Sequence, residues 1–553
     1  MARVKCKNKT LFRYFRKSRS KRSRKIKEFT FYRMLNQNEN IAETNLKFAH
    51  AVYDALYTLG VRQLVLCPGS RNAPLLLAAS VRNDFQKISV IDERSAAYFA
   101  LGYSKSCNDS AAVITTSATA VTNLFPAVVE AYYTRNPFFL LTADRPRSLL
   151  NTGSNQTIDQ HKIFGNYAQY YCIEKKSQIK KLLAKTQEIP IHINIPFAEP
   201  LYPETLTKHT RTSFSKKEKH VKTNISQLAR KISNFLTNQS VIAIGELNWQ
   251  QTNFWKQVSF PPSIPKYVSL LSNLRDHIPS DFQNEEHFLE SLKQNPPDKI
   301  LHIGGKFLHK NLQHYFGYIP TLQITTKPIP FHHPNKKSKQ LLFYLPKYWQ
   351  KKSNKTLSIF PNMPSNYTII PYKKNVFEKE AVAVDHIVSC LQGFSIFLGN
   401  SLTVRMADFV CNQQSINQNF FMANRGASGI DGQLATALGM AFAKKEPSAI
   451  LYGDVSSLHD LTSFDIFAKI KLNTPFYVFI LNNGGGQIFR KFKVTQFQDA
   501  FTHYFLTKPA IHFPHLQELF SIPTYALTSD ELQNKLKHIK DKKVIFIIQI
   551  DSQ

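Results

Sequence analysis

Ala449-Ile450-Leu451-Tyr452-Gly453-Asp454 is one half of the signal that decides how this chain folds. The other half lies 28 residues beyond Asp454, where the apolar run 476–481 leads into Asn482-Asn483-Gly484-Gly485-Gly486. Both are short apolar runs that end in oxygen-bearing and turn-forming residues. That is the pattern of strands in an open parallel sheet, whose ligands bind beyond the strands' carboxyl ends. An Asp carboxylate, an Asn amide oxygen and a backbone carbonyl are hard donors suited to Mg2+, which shares its shell with substrate phosphates. The glycines allow backbone to come close to a diphosphate. Taken singly, Asp454 reads as a helix N-cap and Asn483-Gly484 as a turn. Together, at this spacing, they read as a diphosphate–metal site.

Working outward, 395–398 is a further strand-like run, and this unit begins near Val382. A middle α/β pattern shows at 241–244 and 300–303 and is blurred by the Lys/Asn/Pro-rich stretch 327–355. An earlier one has short apolar runs at 63–67, 88–91, 112–115, 138–142 and 191–195. It is preceded by an amphipathic helix over 45–61, with Leu46, Ala49, Val52, Leu56 and Leu59 at helical spacing. The Lys- and Ser/Thr-rich segment 205–222 reads as a linker. The expected fold class is therefore α/β, with three doubly wound parallel-sheet domains. Their bounds are 41–205, 206–375 and 376–553 after a basic N-terminal extension over 1–40. The first and third could be two copies of one plan.

A chain of 553 residues has room for three or four domains at about 150 residues each. No apolar run is long enough to span a bilayer. The six cysteines are scattered, without metal-ligand spacing, which suits reduced thiols in a cytoplasmic protein. Net charge is +33, yet residues 1–33 carry fourteen Lys or Arg against the single acid Glu28, and 299–377 hold no acid at all. Neither region interleaves bases with aromatics in a nucleic-acid-binding motif. Attraction of anionic substrates is the preferred reading of the charge, so neither nucleic acid nor membrane is an expected partner. The extension reads as a plastid or other organelle transit segment, a solvated basic arm, or a start that belongs at Met34.

The Gly453-Asp454 and Asn482-Asn483 pair resembles the motif of thiamine-diphosphate enzymes. Taken alone, Glu93 is a surface residue paired with Arg94. Its surroundings, Asp92-Glu93-Arg94-Ser95-Ala96-Ala97-Tyr98-Phe99-Ala100-Leu101-Gly102, are similar to one member of that group, the 2-succinyl-5-enolpyruvyl-6-hydroxy-3-cyclohexene-1-carboxylate synthase family. Further resemblance lies in Cys67-Pro68-Gly69-Ser70-Arg71, Thr142-Ala143-Asp144-Arg145-Pro146 and Asn155-Gln156-Thr157-Ile158-Asp159-Gln160. It continues through residues 196–201, Gly399-Asn400-Ser401, Asn424-Arg425-Gly426-Ala427-Ser428-Gly429-Ile430-Asp431-Gly432 and Leu458-His459-Asp460. The chain departs from the family at Ala118, where a glycine is usual, and at Asn72, Asn311, Ser457 and Arg490-Lys491.

The resemblance implies decarboxylation of 2-oxoglutarate and 1,4-addition of the resulting succinyl-semialdehyde carbanion to isochorismate, in menaquinone or phylloquinone biosynthesis. It implies thiamine diphosphate with Mg2+ (or Mn2+) held by Asp454, Asn483 and the Gly485 carbonyl. Glu93 becomes the catalytic partner of the pyrimidine ring, and Ile430, Ile488 and Phe489 pack against the cofactor. Ser401 and Arg405 hold 2-oxoglutarate; Ser70, Arg71, Arg145, Asn155, Gln156, Lys310 and Arg425 frame isochorismate. Residues 41–205 become the pyrimidine-binding domain and 376–553 the diphosphate-binding domain, in a homodimer or homotetramer. His459 reads equally as an acid/base or as a structural residue. The alternatives are another thiamine-diphosphate 2-oxo-acid decarboxylase or carboligase, and a basic nucleic-acid-binding protein without catalysis.

Overall fold

Seventeen strands form three separate sheets in a computed structural model that describes residues 41–183, 189–206, 208–214, 224–326, 337–343, 356–371, 379–411, 416 and 418–550. The basic extension lies outside the described residues. In the first sheet are β1 (Val61–Leu66), β2 (Gln86–Ser89), β3 (Ser110–Thr115), β4 (Phe139–Asp144), β5 (Gln169–Cys172) and β6 (Ile191–Pro196). The second contains β7 (Ser240–Ile244), β8 (Lys266–Val268), β9 (Lys299–Ile303), β10 (Thr321–Thr325) and β11 (Lys339–Leu342). The third contains β12 (Ser395–Leu398), β13 (Phe420–Met422), β14 (Ser448–Gly453), β15 (Phe476–Asn482), β16 (Thr524–Leu527) and β17 (Lys543–Gln549).

All the described pairings are parallel. The first sheet runs β2-β1-β3-β4-β6-β5 and the third β13-β12-β14-β15-β17-β16, which is the same order strand for strand. The duplicated plan expected from the sequence is present. The second sheet, β11-β10-β9-β7-β8, differs from both. Parallel strands need crossovers, and the helices of those crossovers cover both faces, so the central strands are apolar throughout. Separate apolar clusters line the two sides of each sheet.

One of those clusters is shared. The inner faces of the first and third sheets drain into a single core that includes Val65, Val113, Phe397, Ile450 and Val478. Its centre is the pair of helices Glu93–Ser106 and Gln433–Lys444. Glycines let them touch backbone to backbone: a Cβ on Gly102 would lie 2.0 Å from the Thr436 carbonyl oxygen, and one on Gly439 would lie 2.1 Å from that of Phe99. The middle unit docks on the third through buried Arg275, whose guanidinium bonds the Asp408 carboxylate and the Cys411 carbonyl at 2.9 Å. Asn273 extends the edge of β13, donating to the Phe421 carbonyl at 3.0 Å and accepting from the Phe421 N–H at 2.6 Å.

Some boundaries differ from the sequence expectation. The first helix covers 41–58, because Gly60 turns the chain at φ +93° and Val61 already belongs to β1. β2 is shifted two residues toward the N-terminus of the expected 88–91. The described part of the 205–222 segment is strapped onto the first unit: His209 Nε2 lies 3.0 Å from Asp54 Oδ2, and the Thr212 N–H donates to the same oxygen at 3.0 Å. Among the described residues, no helix is long and apolar enough to cross a membrane.

Candidate active site

Asp454 opens the helix Asp454–His459 directly after β14, and Asn483 follows β15, its parallel neighbour. Adjacent strand ends therefore bring together residues 29 apart in the sequence. Asp454 is 1% exposed and accepts from the Val455 N–H at 2.7 Å, Gly484 N–H at 3.0 Å and Gly485 N–H at 2.9 Å. Burial pushes its carboxyl up, and these backbone donors pull it the other way.

Asn483 donates through Nδ2 to Glu380 at 2.9 Å, while its buried Oδ1 has no hydrogen-bond partner. An orphaned buried acceptor costs about 1–3 kcal/mol unless something satisfies it. A hard cation between Asp454 and Asn483 would do so, and the donor set fits one. Two of the glycines after Asn483 also make room for the 505–508 backbone. Gly485 is at φ +111°, and a Cβ there would sit 2.0 Å from the Leu506 carbonyl oxygen. The Gly486 N–H donates to that same carbonyl at 2.5 Å. Gly453 is different, since the space beside its Cα is open.

Glu93 starts its helix just beyond β2, with Asp92 as the N-cap, accepting from the Arg94 N–H at 3.1 Å. Its carboxylate accepts from Asn123 Nδ2 at 3.1 Å, a partner that no sequence pattern singles out. The surface pairing of Glu93 with Arg94 is not what forms. Arg94 instead crosses to the third unit, donating to the His459 carbonyl at 2.8 Å and approaching Asp431 at 3.8 Å. His459 is thus one anchor of that crossing, its Nδ1 also lying 3.3 Å from the Arg94 guanidinium.

The arginines form two groups, on different sheets. On the first unit, Arg71 and Arg145 lie within each other's field, and Arg145 is pulled below its usual value by burial first and by Arg71 next. Arg145 donates to Ser117 Oγ at 2.8 Å and to the Gln156 carbonyl at 2.7 Å; Arg71 ion-pairs with Glu199 at 2.6 Å. The side chains of Ser70, Asn155 and Gln156 are exposed around them. On the third unit, burial and the Arg425 charge both lower Arg405. Arg405 donates to the Ser401 carbonyl, and Arg425 to Asn400 Oδ1 at 2.8 Å and the Leu308 carbonyl at 3.4 Å. Paired, half-desolvated guanidinium groups are poised for carboxylates.

Asn400 is a hub that sequence reading passed over: its amide also donates to the carbonyls of Asn424 at 2.9 Å and Gly429 at 2.6 Å, fixing the loop that carries Ile430. Buried Glu285 accepts from the N–H groups of Leu308 and His309, just ahead of Lys310. Burial and Asp408 push the Glu285 carboxyl well up. Lys310 begins the helix Lys310–Tyr318; its side chain is outside the described residues. Ile488 packs against the third unit's core, and the Phe489 ring lies 5.2 Å from that of Phe505.

Two parallel sheets of one strand order, packed on a shared core, agree with the fold of the thiamine-diphosphate enzymes. In agreement, residues 46–163 match the model of the thiamine pyrophosphate enzyme N-terminal TPP binding domain. The chain is 31% identical over 541 residues to the 2-succinyl-5-enolpyruvyl-6-hydroxy-3-cyclohexene-1-carboxylate synthase of Shewanella oneidensis (strain MR-1), covering 88% of this chain and 91% of that protein. It is 32% identical over 537 residues to the same-named protein of Shewanella baltica (strain OS155), at the same 88% and 91% coverage. This chain belongs to the 2-succinyl-5-enolpyruvyl-6-hydroxy-3-cyclohexene-1-carboxylate synthase family.

Proposed function

We propose that the chain is a thiamine-diphosphate-dependent transferase that decarboxylates 2-oxoglutarate and joins the remaining four-carbon unit to isochorismate, in menaquinone or phylloquinone biosynthesis. The observation that carries this reading is the orphaned Asn483 Oδ1 beside buried Asp454, within a chain that matches its relatives along most of its length. Asp454, Asn483 and the Gly485 carbonyl would hold Mg2+ or Mn2+ for the diphosphate. Glu93 would be the partner of the cofactor's pyrimidine ring and hold the proton exchanged there. Ile430, Ile488 and Phe489 would pack against the cofactor and keep water from it. When bound, thiamine diphosphate supplies the electron sink for the charge left by the departing carbon dioxide.

Both substrates are dianions, which is the use of two arginine groups. Ser401 and Arg405 take the distal carboxylate of 2-oxoglutarate. Arg425, Lys310 and the first-unit group Ser70, Arg71, Arg145, Asn155 and Gln156 take isochorismate. The unit over 41–205 would take the pyrimidine end and that over 376–553 the diphosphate end, with 206–375 between them in sequence only. By resemblance to its family, each site is completed by a second copy, and the working form is a homodimer or homotetramer in the cytoplasm.

Carbon dioxide release tests the reading. With cofactor and Mg2+ present, release from 2-oxoglutarate is expected, and release from pyruvate is not. A preference for pyruvate would contradict the assignment of Arg405, since pyruvate has no distal carboxylate.

A further inference from the structure

Glu130 lies on the helix Phe125–Thr134 of the first unit, is 1% exposed, and has no part in the site proposed above. Its carboxylate crosses to the third unit. One oxygen accepts from the Gly426 N–H at 2.7 Å, the other from the Ala427 N–H at 2.6 Å and the Ser428 N–H at 3.3 Å. Three successive N–H groups turned to one acceptor form an anion-binding nest, and here the anion is a side chain of another unit. Gly426 permits the approach, because a Cβ there would lie 2.6 Å from the Glu130 carbonyl oxygen and 2.9 Å from Thr134 Cγ2. From the middle unit, Lys306 donates to the Gly426 carbonyl at 2.7 Å. The backbone adjoining Arg425 is thereby gripped by all three units.

We propose that Glu130 is a positioning residue for the second substrate: it fixes the 426–428 backbone so that Arg425 presents its guanidinium to an isochorismate carboxylate. This rests on Arg425 being a ligand of that substrate. Removing Glu130 leaves three N–H groups without their acceptor, and a loop that reorients to satisfy them carries Arg425 with it. Small misplacements of a substrate clamp are costly, whereas Asp454 and Asn483, just after β14 and β15, accept from or donate to groups other than Glu130, and the backbone next to Ile430 is held at Gly429 by Asn400.

The test separates the two substrates. Glu130→Ala is expected to raise the KM for isochorismate about tenfold, the scale of one charge-assisted hydrogen bond. Turnover of 2-oxoglutarate alone, followed as reduction of an artificial acceptor that oxidises the four-carbon unit left by decarboxylation to succinate, should change less than about twofold, because that step does not use Arg425. Glu130→Gln keeps the shape and one acceptor oxygen, so it should show a smaller rise and serves if the alanine variant does not fold. In an Arg425→Ala background, Glu130→Gln should add nothing further. An unchanged KM, an equal loss with both substrates, or an additive double variant would each overturn the proposal. Failure of the unmodified chain to condense the two substrates would instead be a failure of the functional reading, visible before any variant is made, and would take this proposal with it.

Discussion

Glu93→Gln keeps the size of the side chain and its contact with Asn123 but removes the group that can share a proton with the cofactor ring. Turnover is expected to fall about a hundredfold or more, with folding and cofactor affinity retained. Steady-state rates beside calorimetric cofactor binding would check this, and near-normal turnover would remove Glu93 from the mechanism. Ala118 stands where the family it resembles has glycine, and its backbone is at φ +66° and ψ −127°, a region that favours glycine. Its N–H is held there by Gln160 Oε1 at 2.9 Å. Ala118→Gly is therefore expected to stabilise the protein by about 1 kcal/mol, measured as a raised denaturation midpoint. Asp454 and Asn483 could be singled out from the sequence because each closely follows an apolar run at a strand end, whereas Glu93 stood out only through the resemblance of the block around it. Glu130 and Asn400 could not be singled out. Most of their partners are backbone groups, which leave no mark in side-chain chemistry, and for Glu130 they lie 296–298 residues away.

The helices Glu93–Ser106 and Gln433–Lys444 are the joint between the two duplicated units, and their glycines set how close it can be. Gly439→Val would drive branched carbons into the Phe99 carbonyl and the Tyr103 N–H, 2.1 and 2.8 Å from an ideal Cβ. A cost of about 1–3 kcal/mol is expected from such overpacking, seen as a lower thermal midpoint. An unchanged midpoint would mean that the helices are free to separate. The central strands of both units were readable because burial on two faces makes them continuously apolar. Edge strands such as β5 and β16 were missed: both are only partly buried, so the apolar signal fades where the sheet ends.

At the scale of the molecule, every residue assigned to the reaction lies at Ser70 or beyond, leaving the basic extension outside the chemistry. Removing residues 1–33 should leave turnover unchanged at about 0.15 M salt, where charge steering is largely screened. Any difference should appear only at low ionic strength with limiting isochorismate, and rate-versus-salt curves for the two forms decide it. A truncated enzyme that is folded yet inactive at physiological salt would put the extension in the catalytic unit. The three-sheet plan was legible from the rhythm of apolar runs, whereas the docking between units was not, since it depends on glycine contacts and buried ion pairs brought together only by folding. The central claim is tested most directly by mass spectrometry of the product formed from 2-oxoglutarate and isochorismate with thiamine diphosphate and Mg2+. The account predicts one adduct that has lost the 2-oxoglutarate carboxyl as carbon dioxide and retained the whole isochorismate skeleton. Carbon dioxide release with isochorismate left unconsumed, or an adduct built from pyruvate, would contradict it.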